Sequence, residues 1–156
     1  MVYIAYTNVD NNYLSKVPMQ YIDNQKTRDN NKHHITIIFN KECNLDNLNK
    51  LDVGDYNKEI DDEQLFNFGL GKTNKGTNEV YYLVVYCEYF NKIRKKYNLN
   101  SQNIYHITLG FKFNDIHQAN KGVETLIYKN PYVNQGLIHQ INNIETDYDE
   151  TQYLLK

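Results

Sequence analysis

Two short stretches, His34-Ile35-Thr36-Ile37-Ile38-Phe39 and Tyr105-His106-Ile107-Thr108-Leu109-Gly110-Phe111, constrain the fold of this chain more than any other feature. Each places a His and a Thr two residues apart with β-branched or Leu residues between and after them. Successive side chains of a strand point to opposite faces, so residues two apart share one. His34 and Thr36 then project one way while Ile35, Ile37 and Phe39 project the other. The same alternation separates His106 and Thr108 from Ile107, Leu109 and Phe111. The apolar set suits burial against helices, and the polar set suits a cleft. Two such strands side by side would bring two imidazoles and two hydroxyls together.

Paired imidazoles that titrate near neutrality suit phosphodiester chemistry. One can take a proton from an attacking hydroxyl while the other gives one to the leaving oxygen. The Thr hydroxyls are placed to hydrogen-bond the non-bridging oxygens of the same phosphate. Two H-Φ-T-Φ motifs (Φ apolar), one in each half of a short chain, resemble those of the two-histidine phosphoesterase superfamily. That superfamily includes the LigT-like 2′-5′ RNA ligases and the cyclic phosphodiesterases. The His106-Ile107-Thr108-Leu109-Gly110-Phe111 version is similar to the small Swiss Army Knife, RNA-repair-like branch. The resemblance implies that His34 and His106 form an acid/base pair and that Thr36 and Thr108 are phosphate ligands. It also implies that no metal or other cofactor takes part. Neither motif order nor spacing says which imidazole is the base.

Elsewhere the sequence points to one α+β domain over residues 1–156. The expected fold is two-lobed and LigT-like, with mainly antiparallel sheets flanking a central cleft. His34 and His106 are 72 residues apart, close to half of the 156, as two similar lobes would require. Val2 to Thr7, Lys32 to Phe39, Gln64 to Leu70, Glu79 to Cys87 and Tyr105 to Phe113 read as strands. The Gly71–Asn78 cluster reads as a hairpin loop between two of them. Glu88 to Tyr97 has helical spacing, and so does Asp115 to Tyr128, capped by Asn114 or Asp115 and ended by Asn130-Pro131. Asn8 to Asn31 reads as helix or irregular chain interrupted at Pro18. Asn44 is expected to cap a short helix, Val133 to Ile144 to form a strand pair or irregular return, and the 147–156 tail to form an edge strand or stay loose.

Other chemistry finds little support. Gly69-Leu70-Gly71-Lys72-Thr73 fails as a phosphate loop, because Phe66 stands where a P-loop needs Gly. It fails equally as a dinucleotide fingerprint, which needs Gly where Asn74 stands. The histidines at 33, 34, 106, 117 and 139 lack metal-ligand spacing, and Cys43 and Cys87 are isolated. His33 points away from His34 on a regular strand, while His117 and His139 read as surface residues. The net charge of −2 provides no field for long nucleic acid, so a small nucleotide or short RNA end is the expected partner. Among 15 Tyr and 6 Phe, Tyr6, Tyr105 and Phe113 are candidate base-stacking surfaces. Lys72 or Lys75 at the hairpin tip is a candidate phosphate contact.

Met1-Val2-Tyr3-Ile4-Ala5-Tyr6 is too short and too soon polar for a signal peptide, and no apolar run has membrane length. A cytoplasmic location is therefore expected. The richness in Asn, Lys, Tyr and Ile suits an AT-rich genome, such as that of a large DNA virus, phage, protist or low-GC bacterium. For a viral source the compartment would be the host cytoplasm. Three substrate classes fit: a cyclic dinucleotide such as cGAMP, whose cleavage serves viral immune evasion; an RNA end with a 2′,3′-cyclic phosphate; and 2′-5′ oligoadenylate. A non-catalytic nucleotide- or RNA-binding module with the same cleft is the rival from another class.

Overall fold

A computed structural model of the chain describes residues 3–42, 58–60, 65–117 and 119–132. The expected elements at 44–49, 133–144 and 147–156, with Cys43 and His139, lie outside the described residues. The described chain is α+β. Its strands are β1 (Tyr3–Thr7), β2 (His33–Ile38), β3 (Lys58–Glu59), β4 (Phe66–Lys75), β5 (Asn78–Tyr86), β6 (Tyr105–Phe111) and β7 (Leu126–Lys129). Its helices are α1 (Asn11–Leu14), α2 (Met19–Asp29) and α3 (Glu88–Lys96). The strands form one seven-stranded sheet in the order β3-β1-β2-β6-β5-β4-β7, rather than sheets in separate lobes. Every pairing is antiparallel except β1 with β3.

The motif strands β2 and β6 are neighbours at the seam between the two halves of this sheet. Ile35 and Ile107 face each other across that seam and are both buried, with Ile37 and Leu109 beside them. On the following strand, Val80, Leu83, Val84 and Val85 are all buried. That is the pattern of an interior strand covered on both faces. Phe90 and Ile93 of α3 are buried, and the Phe90 ring meets Tyr105 edge-on at 5.0 Å between centroids. Arg94 on the same helix has no exposed surface and donates to the Ile37 carbonyl at 2.8 Å and to Glu42. α3 thereby fastens the β5–β6 half of the sheet to β2.

Two expectations change. The hairpin loop is only Gly76-Thr77, because β4 continues through Lys75, which pairs with Asn78. Gly76 has φ +61°, the left-handed conformation that a two-residue hairpin turn needs and glycine adopts without strain. The second departure is at 115–128, which is no helix. It runs irregularly to a single 3₁₀ turn at Val123–Thr125 and then becomes edge strand β7. Asn120 and Gly122 are poor helix formers. The Asp115 carboxylate, expected as a cap, is instead used in ion pairs with Arg28 and Lys121.

Pro18 sits at the N-cap of α2, where its fixed φ starts a helix instead of breaking one. The helix ends at Asn30, which takes φ +54°. Gly110 lets α2 lie close to β6: a Cβ there would stand 2.8 Å from the Tyr21 backbone carbon. This close approach brings the last turn of α2, Arg28 and Asp29, to the motif strands. No helix among the described residues is long and apolar enough to cross a membrane.

Candidate active site

The register at the seam sets the geometry of the site. With Ile35 opposite Ile107, one step along an antiparallel pair puts His34 opposite Thr108 and Thr36 opposite His106. The two imidazoles are therefore on diagonal neighbours across the strand pair, residues about 7–8 Å apart. A phosphate can sit between rings attached at that separation. All four side chains line one cavity of about 840 Å³.

Burial acts on both rings. It pushes the His106 imidazole well below its usual pKa, and the neighbouring Lys121 pushes the same way. His34 is also lowered, chiefly by burial, although the Asp29 carboxylate partly opposes the shift. Both histidines are thus held toward the neutral form.

The surrounding charges run in alternating sign from one histidine to the other. Asp29 Oδ2 lies 3.7 Å from His34 Nδ1. Arg28 grips Asp29 with two donors, Nε at 2.8 Å and Nη2 at 2.7 Å, and reaches Asp115 with Nη1 at 2.6 Å. Asp115 accepts from Lys121 at 3.2 Å and from the Thr108 hydroxyl at 3.1 Å. Lys121 Nζ stands 3.5 Å from His106 Nε2. Burial alone would raise the Asp115 carboxyl, but Lys121 and Arg28 outweigh it and hold the group far below the usual carboxylate range. Lys121 is buried too, which lowers its pKa against the pull of Asp115. Tyr82 walls this corner, its ring 6.2 Å from that of His106 and its hydroxyl bonded to Thr73 and Thr125.

The binding residues expected from sequence are distributed unevenly. Tyr6 pairs directly with His34 on the neighbouring strand, but its ring carries the Lys32 ammonium and does not line the cavity. Tyr105 is a correction: it is 3% exposed and donates its hydroxyl to Asn91 at 2.6 Å, deep on the apolar side. It precedes His106 by one residue, so strand alternation itself turns it away from the imidazole. Phe113 is 62% exposed, beside a shallower groove that shares Arg28 and Asp115 with the main cavity. Lys72 is also corrected, since it pairs with Glu79 at 3.1 Å on the body of β4 rather than at a tip. Lys75 lines the cavity in its place, and so does His117, which remains exposed.

Arg28, Asp29 and Lys121 escaped the sequence reading, and Asp115 entered it only as a helix cap. Nothing in the spacing of Arg28 and Asp29 marks them, because they reach the site only through the docking of α2. For Lys121 a signal existed: Asn120 and Gly122 on either side of it are poor helix formers, which favours a loop after the second motif. Among the described residues, no three His, Cys, Asp or Glu side chains form a metal-binding group.

A family model described as the Swiss Army Knife, 2H phosphoesterase domain matches residues 3–117. The match covers both motif strands and α2, and stops short of Lys121. No curated protein and no solved structure matches the chain.

Proposed function

Because this chain belongs to the Swiss Army Knife 2H phosphoesterase family, we propose that it is a metal-independent phosphodiesterase cleaving a cyclic dinucleotide such as cGAMP. The observation that carries the chemistry is the shared cavity of His34, Thr36, His106 and Thr108 on adjoining antiparallel strands. One imidazole removes the proton of the attacking hydroxyl, and the other protonates the leaving oxygen. The Thr hydroxyls hold the non-bridging oxygens, with Thr108 turning from Asp115 to do so. The family's phosphodiester chemistry supports this division of labour.

Size and charge support the choice of ligand. A cavity of about 840 Å³ lies within the range of small-ligand sites and takes a dinucleotide better than a long strand. Arg28, Lys41, Lys75 and Lys121 line it against the carboxylates Asp29 and Asp115. Four cations against two anions suit a ligand with more than one phosphate. The net charge of −2 over the whole chain leaves this positive charge local. Cytoplasmic action against a host signal belongs to the same reading.

The test is turnover in EDTA of three substrates offered separately: cGAMP, 2′-5′ oligoadenylate, and RNA ending in a 2′,3′-cyclic phosphate. Cyclic dinucleotide is expected to be cleaved fastest, with EDTA without effect. His34→Ala and His106→Ala are each expected to lower kcat by about 10²- to 10⁴-fold. Binding without cleavage of any of the three would instead make the protein a nucleotide-binding module.

A further inference from the structure

The two imidazoles carry the same motif but meet opposite charges. His34 Nδ1 faces a carboxylate, Asp29, at 3.7 Å. His106 Nε2 faces an ammonium, Lys121, at 3.5 Å. Lys121 is only 6% exposed and cannot swing into solvent, since Asp115 holds it at 3.2 Å and Arg28 holds Asp115 at 2.6 Å. We propose that Lys121 is a positioning residue that makes His106 the proton acceptor and leaves His34 as the donor. This rests on the phosphodiesterase reading but goes beyond family membership, because Lys121 lies outside the matched residues 3–117.

An ammonium has donors only. Beside it, a neutral His106 must offer its lone pair at Nε2 and keep its proton on Nδ1. Protonation of Nε2 would set two cationic donors against each other in a buried corner. The groups facing His106 are Lys121, Asp115 and His117 from the 115–121 segment, His34 from β2, and Tyr82 from β5. Asp115 alone favours a proton there, and its charge is already shared between Lys121 and Arg28. Burial works in the same direction as Lys121.

As a phosphodiester enters, its attacking hydroxyl takes the place of the ammonium's long contact at Nε2, and Lys121 stays bound to Asp115. Nε2 then takes the proton of the attacking hydroxyl while the new O–P bond forms. The P–O bond to the leaving oxygen breaks, and His34 delivers a proton to that oxygen. The opposite charges around the rings thus give the reaction its direction.

The test is a histidine side-chain NMR titration of the full chain without substrate, run beside the pH–rate profile. His34 is expected to protonate at a higher pH than His106. Lys121→Met is expected to raise the His106 midpoint by about one pH unit or more and to move His34 less. The acid limb of kcat/KM should rise with the His106 midpoint, and Lys121→Arg should leave both near the parent. A His106 that protonates before His34, or keeps its midpoint in Lys121→Met, overturns the role of Lys121 while phosphodiester turnover stands. If Lys121→Met fails to fold, the order of protonation in the parent still decides. Titration in the expected order without turnover of any phosphodiester overturns the functional reading, and the acceptor role with it.

Discussion

His106 and His34 are expected to leave a mark on stability as well as on rate. Both have pKa values below 6.5 in the folded chain, mainly through burial, and His33 shares the sign and the cause. Between those lowered values and 6.5, the unfolded chain binds more protons than the folded one, so stability rises with pH. The benefit is complete above the unfolded pKa and is lost as the pH falls through the window. Asp115 has the same sign, but its contribution is lost only at pH values below the ordinary carboxylate pKa of 3.8. Thermal unfolding is therefore expected to show Tm falling from about pH 7.5 to about pH 5.5. His106→Asn should flatten that slope without abolishing it. At the same scale, Thr36→Val is expected to lower kcat by about 10²- to 10³-fold, as loss of one donor to transition-state charge does. Steady-state kinetics would show the fall in kcat rather than in KM. The shared face of His34, Thr36, His106 and Thr108 was legible because alternation is a local rule. Asp29 and Lys121 were not, because their relation to the imidazoles depends on how distant segments dock.

The elements show where reading by pattern succeeds and where it stops. Strands β2, β5 and β6 and helix α3 were legible, since each carries a periodicity of its own. The 115–128 stretch also shows apolar residues at helical spacing, yet the ion pair between Asp115 and Lys121 prevails. On a helix those two residues would sit roughly 120° apart around the axis and about 9 Å apart along it, and could not meet. In the irregular chain they meet at 3.2 Å. Gly110 is the element-scale residue to test, because a side chain there must displace α2, and with it Arg28 and Asp29. Gly110→Ala is expected to cost about 1–3 kcal/mol by overpacking. Urea unfolding would measure that cost, and kcat should fall with it although no reacting group has changed.

Across the whole molecule, the sheet's order decides which parts must hold together. β1 and β3 flank β2 on one side, and β5, β4 and β7 flank β6 on the other, so among the described strands the β2–β6 pairing joins the two sides. Arg94 crosses that join from α3 to the Ile37 carbonyl and to Glu42, with 0% and 2% side-chain exposure for the ion pair. Removing one partner of such a pair strands the other in the interior. Arg94→Met is expected to cost about 3–5 kcal/mol in denaturant unfolding. The single sheet itself was not legible from spacing, since alternation fixes the faces of a strand but not its neighbour.

A half-turn about an axis through the Ile35–Ile107 pair carries His34 onto the place of His106, and Thr36 onto that of Thr108. A phosphorus atom on that axis has an imidazole and a hydroxyl on either side, but Asp29 stands by one ring and Lys121 by the other. The strand framework is thus symmetric where its charges are not, and the charges alone tell one end of the phosphodiester from the other.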